Sequence, residues 1–180
     1  SWPNTAYPFA AAYLVTGGTF GLKFWVATLF FLIPYNLLMY GINDVFDYES
    51  DIRNPRKGGM EGAVEQKAFH PVIIWSSIIA TVPFVIYLLL VGSLLTNCVL
   101  AALVFFVLAY SMAGLRFKEI PVLDSITSSI HFVGPMVYAM VLTGLQPHYV
   151  PYIVAFFLWG LASHAFGAVQ DIIPDRKGGL

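Results

Sequence analysis

The chain has 180 residues, 58% of them hydrophobic and 11% charged, with a mean hydropathy of +0.76. Soluble domains carry about a quarter charged residues, so this composition excludes an ordinary water-soluble fold. The formal charge of −1 decides nothing by itself and points to no nucleic-acid partner, while the single cysteine excludes a disulfide framework and a cysteine-based metal site. Cys98 reads as a small packing residue in an apolar run.

Six spanning helices are predicted, each needing about 20 mostly apolar residues. The first covers 2–20 and lacks the basic leading segment of a cleavable signal. Gly17-Gly18, in the link 17–23, turns the chain into the second span, 24–43. A long polar link, 44–70, precedes the third span, 71–92. Gly92-Ser93 in the link 91–97 leads to the fourth, 94–113, and a short charged link, 114–120, to the fifth, 121–143. Gly144, in 144–148, introduces the sixth, 149–170, and a charged tail, 171–180, follows. Short links suit antiparallel neighbours. These runs are too long and too continuously apolar for the alternating strands of an outer-membrane barrel. The expected fold is therefore all-α, a polytopic transmembrane bundle in membrane lipid, with 1–180 as a single domain. The chain starts at Ser1 without methionine and stops just after a charged motif. It reads as a fragment lacking spans at its C-terminal end.

The charges sort by face. Arg53, Arg56, Lys57, Lys67, Arg116, Lys118, Arg176 and Lys177 all follow even-numbered spans, with Lys23 as the exception. By the positive-inside rule that face is cytoplasmic, in a cell membrane. The acids gather on the same face, which that rule does not require, so a charged site is expected there. A faint internal echo links Asn43-Asp44 with Arg56-Lys57-Gly58-Gly59 to Gln170-Asp171 with Arg176-Lys177-Gly178-Gly179. It hints at a duplicated helical unit.

The densest motif is Asn43-Asp44-Val45-Phe46-Asp47-Tyr48-Glu49-Ser50-Asp51. If the second helix continues through it, Asp44, Asp47 and Asp51 at i, i+3 and i+7 share one face. Carboxylates so close repel unless a cation sits among them. Mg²⁺ suits hard oxygen ligands and takes carboxylates together with substrate phosphates. The blander alternative is a solvated acidic helix end. The second cluster, Asp171 and Asp175 four apart, is ordinary alone and gains meaning beside the first; Pro174 argues against a regular helix through it. The third element runs from Tyr110 through Arg116 and Lys118 to Asp124. Arg can fork two phosphate oxygens and Lys can act as a point charge, although both also obey positive-inside. Asp124 reads either as a cap of the fifth helix or as a further member of the site.

In order and placement these three motifs, NDxxDxxxD at 43–51, the YSxxxLRxK stretch continuing to Asp124, and DxxxD at 171–175, resemble the UbiA-type intramembrane prenyltransferases. The resemblance covers essentially the whole chain. It implies a nine-helix bundle, of which about three C-terminal helices are missing here. It also implies Mg²⁺-dependent transfer of a prenyl group from an isoprenyl diphosphate to a lipophilic acceptor. On that reading Asp44, Asp47, Asp51, Asp171 and Asp175 are the catalytic metal ligands. Asn43, Tyr110, Arg116, Lys118 and Arg53 are expected to bind diphosphate, with Arg56 and Lys57 as weaker candidates. Quinone-pathway members usually carry an arginine where Asn36 stands. The sequence Asn-Asp-Val-Phe-Asp-Tyr-Glu-Ser-Asp followed by Asn54-Pro55-Arg56-Lys57-Gly58-Gly59 resembles the lycopene elongases instead, implying dimethylallyl diphosphate and lycopene as substrates. Asn36, His131 and His164 are candidates for the substrate cavity.

Three alternatives remain at this point. An aromatic-acceptor enzyme of quinone or haem biosynthesis shares the motifs. A transporter places its acids at midplane depth. A CDP-alcohol phosphotransferase pattern needs glycine where Tyr48 follows Asp47.

Overall fold

The structure, a computed structural model, describes residues 2–53 and 64–178, and for 170–178 the backbone alone. Six long helices make up the described residues, with no strand among them: α1 (Pro3–Val15), α2 (Leu22–Asp51), α3 (His70–Val91), α4 (Leu94–Ser111), α5 (Leu123–Thr143) and α6 (Val150–Gly178). All but α1 are long and apolar enough to cross a membrane. At 13 residues, α1 is about 20 Å long. It ends at Val15, short of the expected 20, because the chain turns at Gly17. That residue takes φ +96°, and a Cβ on Gly18 would sit 2.3 Å from the Tyr13 ring. Cys98 is exposed on α4, so the packing role read from its apolar neighbours does not hold.

The 30 residues of α2 span about 45 Å, against a hydrocarbon core of ~30 Å. That leaves about 15 Å to spare, and the acidic residues of the helix fall in its last turns, Asn43–Asp51. The helix is irregular midway. Pro34 interrupts it, and Leu37–Gly41 form a π-helical turn. Backbone groups loosened within lipid need other partners, and neighbouring side chains supply them. Thr5 Oγ1 and Asn36 Nδ2 donate to the Phe31 carbonyl at 2.6 and 2.7 Å. Asn36 also reaches Thr5 Oγ1 at 2.8 Å. From α3, Ser77 Oγ donates to the Leu37 carbonyl at 3.1 Å and Thr81 Oγ1 to that of Pro34 at 3.4 Å.

Asn36 thus sits fully buried between α1 and α2, knitting a helix break rather than lining the substrate cavity expected for it. Asn36→Leu removes donors to Thr5 Oγ1 and to the Phe31 and Leu32 carbonyls. We expect it to lower stability by about 1–3 kcal/mol. A thermal-unfolding midpoint measured in detergent that matches the parent would contradict this.

Packing is centred on α5, which contacts α1, α4 and α6. In turn α1 packs on α2, and the second half of α2 on α3 and α4. Phe9 of α1, Phe31 of α2 and Tyr138 of α5 interlock, with ring centroids 5.2–6.3 Å apart. Lipid tails are as apolar as these side chains, so close packing and dispersion hold the helices together. Small residues allow the approach of α6. A Cβ on Gly160 would lie 2.4 Å from Ser129 Oγ, and that hydroxyl donates to the Phe157 carbonyl at 2.8 Å. Near its end α6 stays helical past Pro174, although that proline argued against a regular helix there. At the membrane edge water can satisfy the carbonyl that a proline leaves unpaired.

Candidate active site

Because α2 is helical through Asp51, Asp44, Asp47 and Asp51 do share one helix face. Opposite it stands the 112–122 link, bent sharply by positive φ at Gly114 (+90°), Arg116 (+42°) and Val122 (+71°). Side chains other than glycine rarely adopt such angles. The bends fold the link back toward α2.

This brings two of the predicted cations onto the first motif. Lys118 forms an ion pair with Asp47 Oδ2, and its ammonium also donates to Asn43 Oδ1 at 3.2 Å. Arg116 Nη2 lies 3.5 Å from Asp47 Oδ1. Ser111 Oγ, at the end of α4, donates to Asn43 Oδ1 at 2.7 Å. The Asp47 and Lys118 side chains are 11% and 14% exposed. That burial leaves their contact less screened by water than the exposed Lys67–Glu49 pair at 2.5 Å. Arg116 also forks to Glu119, with Nε donating at 2.6 Å. The hydrogen bond between them raises the guanidinium pKa further and holds the Glu119 carboxyl below its ordinary value. The pair is therefore intact at neutral pH and is lost only as acid protonates Glu119.

Other predicted residues fall elsewhere. Arg53 Nε donates to the Glu49 carbonyl at 2.8 Å, closing the end of its own helix. Asp44 and Asp51 are half-buried on the Asp47 face. The side chains of Asp171 and Asp175, and all of Arg56 and Lys57, lie outside the described residues. Ser111 and Glu119 were not singled out by sequence; only their place within the 110–124 stretch marked them.

A second polar cluster joins α4, α5 and α6. The Tyr110 hydroxyl donates to Asp124 Oδ1 at 2.9 Å, and His164 Nε2 lies 2.8 Å from Asp124 Oδ2. Asp124 makes no capping bond to α5; it joins three helices instead. The ring of His131 stands edge-on to Tyr110 at 5.2 Å. Tyr110, expected at the diphosphate, is thus bonded to Asp124. Below this cluster an apolar cavity of about 390 Å³ opens between the same three helices.

A divalent cation can be tested against this donor set. Among the described residues no three histidine, cysteine or acidic side chains lie close enough to enclose a metal ion. The donor chemistry nonetheless fits a hard cation: three carboxylates on one helix face, with Asp47 Oδ1 buried, short of a hydrogen bond and met only by the Arg116 guanidinium at 3.5 Å. An oxygen in that state favours a further positive ligand.

Helices long enough to span a bilayer, with a charged cluster at the end of an overlong one, define a polytopic membrane protein with a polar site at the membrane face. Sequence comparison makes the class specific. The UbiA prenyltransferase family matches residues 5–180, and the chain belongs to that family. It is 52% identical to a lycopene elongase/hydratase of Corynebacterium glutamicum, covering all of this chain and 63% of that protein. It is 54% identical to the C(50) beta-cyclic carotenoids biosynthesis protein LbtBC of Dietzia sp. (strain CQ4), over the whole chain and 42% of that protein. Identity to the lycopene elongase/hydratase of Haloferax volcanii is 33%, over 95% of this chain and 55% of that one. The chain thus spans less than two thirds of the length of these relatives. No solved structure matches it significantly.

Proposed function

We propose that the protein containing this chain transfers a prenyl group from an isoprenyl diphosphate to a carotenoid, with dimethylallyl diphosphate as donor and lycopene as acceptor. The observation that carries this reading is the convergence of Lys118 and Arg116 on Asp47, at the protruding end of a helix whose face bears two further carboxylates. A diphosphate leaving group needs positive charge arranged before the bond breaks, and these two cations are held in place by the carboxylate. The names of the relatives supply the substrate class.

Asp44, Asp47 and Asp51, together with Asp171 and Asp175, are the residues assigned to hold Mg²⁺. When bound, the ion supplies charge neutralisation to the diphosphate. Arg116 and Lys118 contribute their own charges to the departing group. Asn43, fixed by Ser111 and Lys118, orients the lysine. Ionisation leaves an allylic cation, which the electron-rich double bond of the acceptor attacks. The basic residues around this face support a cytoplasmic orientation for it.

The test uses the full-length protein in membranes containing lycopene, dimethylallyl diphosphate and Mg²⁺, with products resolved by mass. A gain of one or two five-carbon units, abolished by EDTA, is expected. No gain on lycopene, with transfer to a hydroxybenzoate or naphthoate from a longer diphosphate, overturns the carotenoid reading and retains the family.

A further inference from the structure

Joining a prenyl cation to an alkene leaves a positive charge on the acceptor, and the reaction ends only when a proton departs. The chemistry just proposed assigns no group to receive it. Arg116 and Lys118 are cations already, and the aspartate face is assigned to metal.

The cavity between α4, α5 and α6 is lined by apolar side chains, among them Leu103, Phe106, Ile130, Val133, Ile153 and Phe157. Its volume of about 390 Å³ lies within the range of small-molecule sites, ~300–1,000 Å³. It suits the end of a hydrocarbon chain, and none of these residues can take a proton. The same three helices lead from it toward the charged face. At about 1.5 Å per residue, Tyr110 stands about 6 Å beyond Phe106, Asp124 about 9 Å beyond Ile130 and His164 about 10 Å beyond Phe157. There the polar cluster closes, Tyr110 and His164 both bonding to the Asp124 carboxylate.

The hydrogen bonds decide which atom is basic. An Asp124 carboxylate can only accept, so a neutral His164 paired with it would place its proton on Nε2 and leave the Nδ1 lone pair free as the base. The His164 side chain is 25% exposed, so it remains reachable. Asp124 orients the imidazole and offsets the charge it gains, as a carboxylate does behind a catalytic histidine. A second observation marks the same spot. The His131 side chain, 3% exposed, has Nε2 buried without any hydrogen-bond partner and lies against Tyr110. A buried polar nitrogen left unpaired is costly and points to a polar group that enters this region during turnover.

We infer that His164, oriented by Asp124 and Tyr110, is the proton acceptor of the transfer and that the cavity below it receives the hydrocarbon end of the acceptor. This rests on the prenyl-transfer reading above. The acceptor's π electrons form the new carbon–carbon bond to the allylic cation, leaving a carbocation. The adjacent C–H bond breaks, its electron pair becomes the new double bond, and the proton passes to His164 Nδ1. Where water attacks instead, an oxygen lone pair forms the C–O bond and the water proton goes to the same nitrogen.

The experiment uses the full-length protein in lycopene-containing membranes. His164→Gln keeps a donor for Asp124 without a basic nitrogen, and His164→Ala leaves space for added imidazole. Product formation is expected to fall at least ten-fold in both, with the KM for the diphosphate within about two-fold of the parent. General-base losses of this kind run to about 10²–10⁴. Imidazole should restore His164→Ala and not His164→Gln. A His164→Gln protein as fast as the parent overturns the assignment, leaving the departing diphosphate as the base. A His164→Ala protein that stays slow with imidazole overturns it too. Both results leave prenyl transfer standing, because the parent still makes product. A parent that makes none overturns the reading and the inference together.

Discussion

Asp47→Asn should yield a folded bundle in which prenyl transfer falls by about 10²–10³ or more, the scale of removing a preorganised electrostatic group. Lys118 and Arg116 both converge on this carboxylate, and it is the buried member of the aspartate face. An amide has nearly the same shape and still accepts a hydrogen bond from Lys118, so the packing survives. It carries no charge, so it neither ligates a hard cation strongly nor holds two basic side chains together. Mass-resolved product formation and thermal unfolding, measured on the same preparation, separate the two effects. Substantial transfer by a folded Asp47→Asn protein would sink the assignment of this face to metal and diphosphate.

The second large effect concerns stability. Lys118→Met strands the Asp47 carboxylate, whose side chain is 11% exposed. Breaking one partner of a buried pair costs about 3–5 kcal/mol. Arg116, at 3.5 Å from the other carboxylate oxygen, holds the loss toward the lower end. For a chain of this size that corresponds to a fall of roughly 6–20 °C in unfolding midpoint. Adding Asp47→Asn should recover most of the stability, since no buried charge is then left unpaired, while transfer stays lost. A Lys118→Met protein that unfolds with the parent would show the pair to be solvated. Activity returning with stability in the double variant would show its role to be structural only.

Much of this was legible in the chain because membrane constraints are local. A run of apolar residues long enough for the hydrocarbon core must be helical, and spans two to six follow from that. The acids at 44, 47 and 51 were separable from their neighbours by helical spacing alone. Their shared face depended on α2 staying helical through Asp51, which it does. Errors arose where a residue's partner is distant. Asn36 lies one heptad before Asn43, a spacing that puts both on one face of a regular helix. The break at Pro34 and the π-helical turn that follows disturb that phase, and Asn36 instead meets Thr5 of α1. For Asp124 the sequence left a cap and a site member equally open, and only its partners from α4 and α6 decide between them.

By itself, then, the sequence determined a membrane-spanning helical protein of the UbiA type and the order of its spans. Apolar run length, helical spacing and motif order are properties of neighbouring residues. Tertiary structure alone decided which charges meet. Lys118 reaches Asp47 across 71 positions, and His164 reaches Asp124 across 40. Those pairings depend on how α5 seats between α1, α4 and α6 and on the sharp bends of the 112–122 link. Both are set by packing among distant segments, which no local periodicity encodes.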